Sequence, residues 1–279
     1  MKNFPRDRKP GEQTERMRIR GAILSLLGSL AAASGAGAAD TSELRINGHI
    51  NAAIAGQMQD ALGHGAHAIR VTSGGGDPLP SLALARDIRR HHATLTVDGL
   101  CAGACANFLF PAAGKRMVIP GALVIFSGTA TASLALVPPE KAGTLDANIT
   151  PTARQEKSLI SDAGVDQALL LEPLLHLGLS CYSLTSRNAS GKSYVNYRSD
   201  YVGWVPSRAY LAHAGFKVGG FWPATAAQFQ AAMESAFPGG ARGDVAFSGQ
   251  DAPSRMPSLL ARLKAVPQCD TGIPSNRNP

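Results

Sequence analysis

Two short turns hold the residues best suited to chemistry: Ser73-Gly74-Gly75-Gly76-Asp77 and Cys101-Ala102-Gly103-Ala104-Cys105. Glycine lets a backbone reach positive φ and approach a ligand closely. Small residues opening a helix leave N–H groups free, and the helix N-terminus adds a partial positive charge beside them. Two such N–H groups aimed at one point form an oxyanion hole, which stabilises the negative oxygen of a tetrahedral or enolate intermediate. The chemistry these turns suggest is the holding of a carbonyl group.

The surrounding pattern must bring the turns together. Leu44 to Ile50 reads as a strand, Ala52 to Leu62 as a helix and Ala66 to Thr72 as a buried strand. A helix over about Pro80 to His91 comes next, then strands at Thr94 to Val97 and Leu123 to Phe126, with an apolar helix opening in Cys101 to Ala113. Alternating strands and helices predict an α/β fold with mostly parallel strands and right-handed crossovers. Such sheets bind ligands beyond the carboxyl ends of their strands, where both turns fall. Beyond Val137-Pro138-Pro139 the pattern predicts a loop at 136–150 and a helical region from Thr152 to Leu177. After these it predicts a polar turn at Ser183 to Ser193, a strand in Tyr194 to Trp204, and helices at Ser207 to Ala214 and Ala224 to Ala236.

At 279 residues and 44% hydrophobic, the chain has ordinary globular composition. Residues 1–39 hold seven basic and three acidic residues, a net +4 of the chain's +7, which leaves +3 for the rest. So small a balance argues against a nucleic-acid partner. Arg18 and Arg20, the apolar stretch Ala22 to Ala33 and the small residues ending Ala38-Ala39 have the order of a secretory signal. The expectation is translation from Met17, cleavage near Ala38/Ala39, a periplasmic or secreted protein, and no stable membrane anchor after cleavage. An uncleaved anchor is the alternative, although the apolar stretch is short of the roughly 20 residues a span needs.

Four cysteines, Cys101, Cys105, Cys181 and Cys269, suit an oxidising compartment and allow three connectivities. Pairing 101 with 105 and 181 with 269 is the economical arrangement, and four buried thiols are the alternative. His64, His67, His91 and His92 lack carboxylates at ligand spacing and read as turn and surface residues; no metal or cofactor is expected. Gly191-Lys192-Ser193 lacks the first glycine of a phosphate loop, since Ser186 stands there. Trp204 and Trp222 read as core or pocket wall.

Taken together, Val71 to Asp77, Val97 to Asn107, Ala112-Ala113-Gly114-Lys115-Arg116 and Val124-Ile125-Phe126-Ser127-Gly128 resemble the ClpP-like serine peptidases. Within that superfamily the chain most resembles an exported branch with a Cys-x-Ser-x-Cys turn. Trp204-Val205-Pro206, Leu211 to Gly215 and Gly220-Phe221-Trp222-Pro223 resemble its closing segment. The resemblance implies a ClpP/crotonase-like domain over 41–223, a spiral of mostly parallel strands with flanking helices. Residues 224–279 would be a helical, Pro/Gly-rich extension. Gly75 and Gly76 match the glycines supplying one oxyanion-hole donor, and Ala104 would supply the second. Gly103 falls at the nucleophilic serine and Ser127 at the histidine base; Asp200 is a loose counterpart of the acid.

Glycine has no oxygen to attack with, and serine is no base near neutral pH. The expectation is therefore a catalytically inactive peptidase homologue that binds a peptide or protein partner, with self-association implied by the family's rings and trimers. The rival is an active hydrolase using Cys105, activated by the helix N-terminus, with His176 the remaining candidate base. Enolate chemistry of the crotonase kind ranks last, since an exported protein would rarely meet coenzyme A.

Overall fold

The computed structural model describes residues 43–137, 147–185, 193–240, 243–249, 255–267 and 269. The signal-like segment 1–39, most of the loop expected at 136–150 and the Gly191-Lys192 turn lie outside them. The described residues belong to one unit, Thr41–Pro279.

The chain begins with β1 (Leu44–Asn47), α1 (Ala52–Gly63), β2 (Ala68–Ser73), α2 (Pro78–Arg90) and β3 (Thr94–Ala102). The N-terminus of α1 is set by Asn51, whose Oδ1 accepts from Ile54 N at 3.0 Å. A π-helical turn at Cys105–Leu109 runs into α3 (Phe110–Ala112), and β4 (Lys115–Val118) and β5 (Leu123–Ile125) come after it. A much later strand, β9 (Val218–Gly220), returns to the edge of the same sheet. The order is β1-β2-β3-β4-β9 with β5 also on β3, and every pairing in this sheet is parallel. The α/β expectation is met by this mainly parallel sheet flanked by helices.

One irregularity positions the site. β3 pairs with β4 through Thr94–Val97, then with β5 through Leu100–Ala102. Between these halves the β2–β3 register shifts, so that Ser73 comes to lie opposite Cys101. Such a bulge bends a strand and re-aims the residues beyond it. Here it sets the ends of β2, β3 and β5 side by side. Local pattern ends the third strand at Val97; in the structure it runs on to Ala102, because Leu100 and Ala102 gain a partner in β5 that no local pattern announces.

Ile46, Ile69, Val71, Leu95, Val97, Leu123 and Val124 of the strands and Leu82, Leu84, Ala85 and Ile88 of α2 are buried in one hydrophobic core. Phe110, Phe126, Phe216 and Trp222 form an aromatic cluster beyond β4. Arg116 enters it 5.2 Å from the Phe216 ring centre. Its Nε donates to Phe110 O at 2.8 Å and its Nη2 to Pro111 O, tying α3 to β4. Burial, with a smaller push from Arg89, holds the guanidinium down to about 10.

The second half departs most from expectation. The helical region of Thr152 to Leu177 is α5 (Ile149–Asp162), a 3-10 turn at Gln167–Leu170 and α6 (Pro173–His176), broken at Ala163-Gly164. The polar stretch after Ser183 belongs in part to an antiparallel hairpin of β6 (Leu179–Thr185) and β7 (Ser193–Ser199). β8 (Tyr201–Val205) is separate, and α7 (Arg208–His213) and α8 (Ala226–Ala236) lie beyond it. The Gly/Pro-rich tail still contributes β10 (Asp244–Phe247), parallel to β8, and α9 (Met256–Lys264). Leu259 and Leu263, one helical turn apart, join Leu136, Leu171, Leu174 and Leu177 in a second core. That leaves α4 (Ala130–Leu136), which packs on α5 beside the site.

Candidate functional site

The site is built where three strands end. Residues 74–76 come after β2, 103–104 after β3 and 127–129 after β5, and all line one cavity of about 640 Å³. A Cβ placed on Gly75 would lie 3.4 Å from Ala104 N, and one on Gly103 would lie 3.7 Å from Gly75 Cα and 3.8 Å from Ser127 Oγ. The residues singled out from sequence, Gly75, Gly76, Gly103, Ala104 and Ser127, are thus brought together.

The hydrogen bonds divide their roles. Gly103 N donates to Ile125 O at 3.2 Å and Gly103 O accepts from Asn107 N at 2.8 Å. Gly75 N donates to Ser73 Oγ at 3.1 Å, and that hydroxyl donates to Gly75 O at 2.9 Å. The neighbours of Gly76 hold it in place: Ile50 N donates to Gly75 O and Asp77 N to Ile50 O, at 2.9 and 2.8 Å. The N–H groups of Gly76 and Ala104 donate to no acceptor among the described residues. Of the two glycines matched to one donor, Gly76 is therefore the available one, and Gly75 is engaged by Ser73.

Asn107 and Glu156, which sequence reasoning does not single out, fix the opposite wall. Asn107 Nδ2 donates to Ser127 O and Gly128 O at 3.3 and 3.4 Å, while its Oδ1 accepts from Ser127 N at 3.2 Å. A polar residue opening the apolar run Phe108-Leu109-Phe110, and buried with it, was the signal available for it. Glu156 is 1% exposed. Its Oε1 accepts from Ala130 N at 2.9 Å, and its Oε2 accepts from Thr131 N at 2.7 Å and Thr131 Oγ1 at 2.8 Å. Nothing local in α5 marks it, since its partners lie 25 and 26 residues away.

Glu156 is the one ionisable side chain lining the cavity among the described residues, and both its oxygens serve as a cap on α4. Glu156→Ala strands the amides of Ala130 and Thr131, while the Thr131 hydroxyl keeps Ala153 O at 3.3 Å, so a loss of about 3 kcal/mol is expected. Thermal unfolding followed by circular dichroism would check this, with the melting point falling about 6–12 °C for a domain this size.

Both disulfides of the economical pairing are present, Cys101–Cys105 and Cys181–Cys269. The first spans the corner that carries Gly103 and Ala104. His176 is not at the cavity: its ring stacks on Trp204, 4.4 Å between centres. Asp200 is also elsewhere, beside Gly178 with its N–H donating to Leu177 O. Trp204 and Trp222 are core residues, their Nε1 groups donating to Ser248 Oγ and Pro206 O. His64 and His91 end α1 and α2, and His67 and His92 are exposed. Among the described residues no group of three or more His, Cys, Asp or Glu is placed to hold a metal ion, and no helix is long and apolar enough to cross a membrane.

Fold and site together define an α/β protein with a donor-lined cavity at the carboxyl ends of parallel strands. No protein-family model matches the chain, and no curated protein is similar to it.

Proposed function

We propose that this chain is an exported ClpP/crotonase-like protein that has lost its peptidase chemistry and binds a peptide or protein partner through the corners it keeps. One observation carries the reading. The positions matched to nucleophile and base, Gly103 and Ser127, stand side by side at the cavity, next to two unbonded amides, yet Gly103 has no oxygen to attack with, and Ser127 is no base and has none beside it among the described residues lining the cavity. The order of the elements and the meeting of the three strand ends support the ClpP/crotonase-like assignment and its spiral sheet. The signal-like N-terminus and the two disulfides support export to the periplasm or beyond. The reading requires no metal or cofactor, involves no nucleic acid, and is compatible with a homo-oligomer.

The rival mechanism needs Cys105 as a thiolate. Its sulfur is bonded to Cys101, which leaves no thiolate to attack, and His176 is held on Trp204. Incubation of the purified protein with a fluorophosphonate probe, read by mass spectrometry, tests the proposal. The expected result is no adduct; a covalent adduct on any residue lining the cavity would overturn it.

A further inference from the structure

The cavity offers more donors than a carbonyl oxygen can use. Besides Gly76 and Ala104, Ser127 and Gly128 line it, and the Ser127 hydroxyl and the Gly128 amide likewise donate to no acceptor among the described residues. A carbonyl oxygen has two lone pairs, whereas a carboxylate presents two oxygens with about four acceptor positions. Backbone amides gathered in a concavity accept anions without a basic side chain. Glu156, the one negative charge on the wall, has both oxygens engaged by α4.

A second cavity of about 280 Å³ shares Gly74, Gly103 and Ser127 with the first. The rest of its wall is Leu100, Ala102, Ile125, Val202, Phe237 and Gly243. It offers no further hydrogen-bonding side chain, so it suits an apolar group attached next to the atom that the donors hold.

Resting on the reading that this cavity is a carbonyl-holding site, we infer that its ligand is a carboxylate with an apolar side group on the adjacent carbon, as at the C-terminus of a peptide ending in leucine. A free small carboxylic acid presents the same chemistry. The donors hold the two oxygens, and the side group enters the apolar recess past Gly103, where no side chain intervenes.

Isothermal titration of the full chain with four probes tests this: a pentapeptide ending in leucine as the free acid, the same peptide as its C-terminal amide, the free acid ending in lysine, and N-acetyl-leucine. The leucine acid is expected to bind at least tenfold more tightly than the amide or the lysine acid. N-acetyl-leucine matching the pentapeptide assigns the site to small acids, and weaker binding assigns it to peptide termini; both outcomes support the carboxylate. Val202 is 57% exposed, so Val202→Asp should keep the wild-type melting point while weakening the leucine acid at least tenfold. Equal binding of acid and amide would overturn the carboxylate inference and leave the proposed function standing. Absence of binding by every probe would overturn the carboxylate inference, whereas the proposed function, which also admits a protein partner, falls with a covalent fluorophosphonate adduct in the cavity.

Discussion

Installing serine at 103 and histidine at 127 together is expected to make a protein that a fluorophosphonate labels at residue 103, where the parent is unlabelled. There is room for the first change. A Cβ at Gly103 would meet its nearest neighbours, Gly74 O, Gly75 Cα and Ser127 Oγ, at 3.6, 3.7 and 3.8 Å, which is ordinary van der Waals contact. The cost is conformational: Gly103 has φ +52°, and a serine there carries about 1–2 kcal/mol of left-handed strain. The same proximity puts an imidazole at 127 within reach of a hydroxyl at 103. The amides of Gly76 and Ala104 are free to receive the oxyanion.

A general base contributes about 10²–10⁴-fold, and an oxyanion-hole donor a similar factor. The double variant should therefore hydrolyse an activated ester at least about a hundred times faster than the parent, while Gly103→Ser and Ser127→His alone stay near the parent rate. Among the described residues no free acid lines the cavity to orient the new histidine, so activity well short of a natural peptidase is expected. A double variant with the parent's melting point and no labelling would show that the corners do not converge on a reacting carbonyl.

The second large effect is on stability. Gly76→Ala is expected to lose about 3 kcal/mol or more, lowering the melting point by about 6–12 °C or further. A Cβ at Gly76 would collide with Ile50 O and lie 2.5 Å from Ile50 Cβ and 2.7 Å from Ile50 C. Ile50 is fully buried and cannot step aside. The chain after β1 would have to part from the 75–77 turn, giving up the Ile50 N to Gly75 O and Asp77 N to Ile50 O bonds. Gly103→Ala, with no such collision, should cost only its left-handed strain, about 1–2 kcal/mol. Calorimetric melting of both variants distinguishes the cases. Near-equal melting points would mean that the 75–77 turn is not seated on Ile50.

Much of the site was legible because its signals are local. Glycine runs mark where a backbone must bend or approach closely, and the alternation of strand and helix says that such bends end parallel strands. Glycine at 103 excludes a nucleophile there, and serine at 127 excludes a base there. What escaped was non-local. Glu156 and Asn107 act on backbone about 20 residues or more away. β10 and α9 are short elements in a Gly/Pro-rich tail, stabilised by β8 and by a leucine cluster drawn from distant segments. Sequence alone left three cysteine connectivities open, and only the approach of Cys181 to Cys269 across 88 residues selects one.

By itself, then, the sequence determined the class of sheet, the two donor-bearing turns and the lack of proton-moving side chains at 103 and 127. The tertiary structure decided that these turns meet, that Gly76 rather than Gly75 keeps a free amide, and that an apolar recess opens beside Gly103. Local periodicity and residue type fix a backbone's direction and conformation. Which distant groups it faces is fixed by the bulge in β3 and by side-chain packing, and these exist only once the strands have paired.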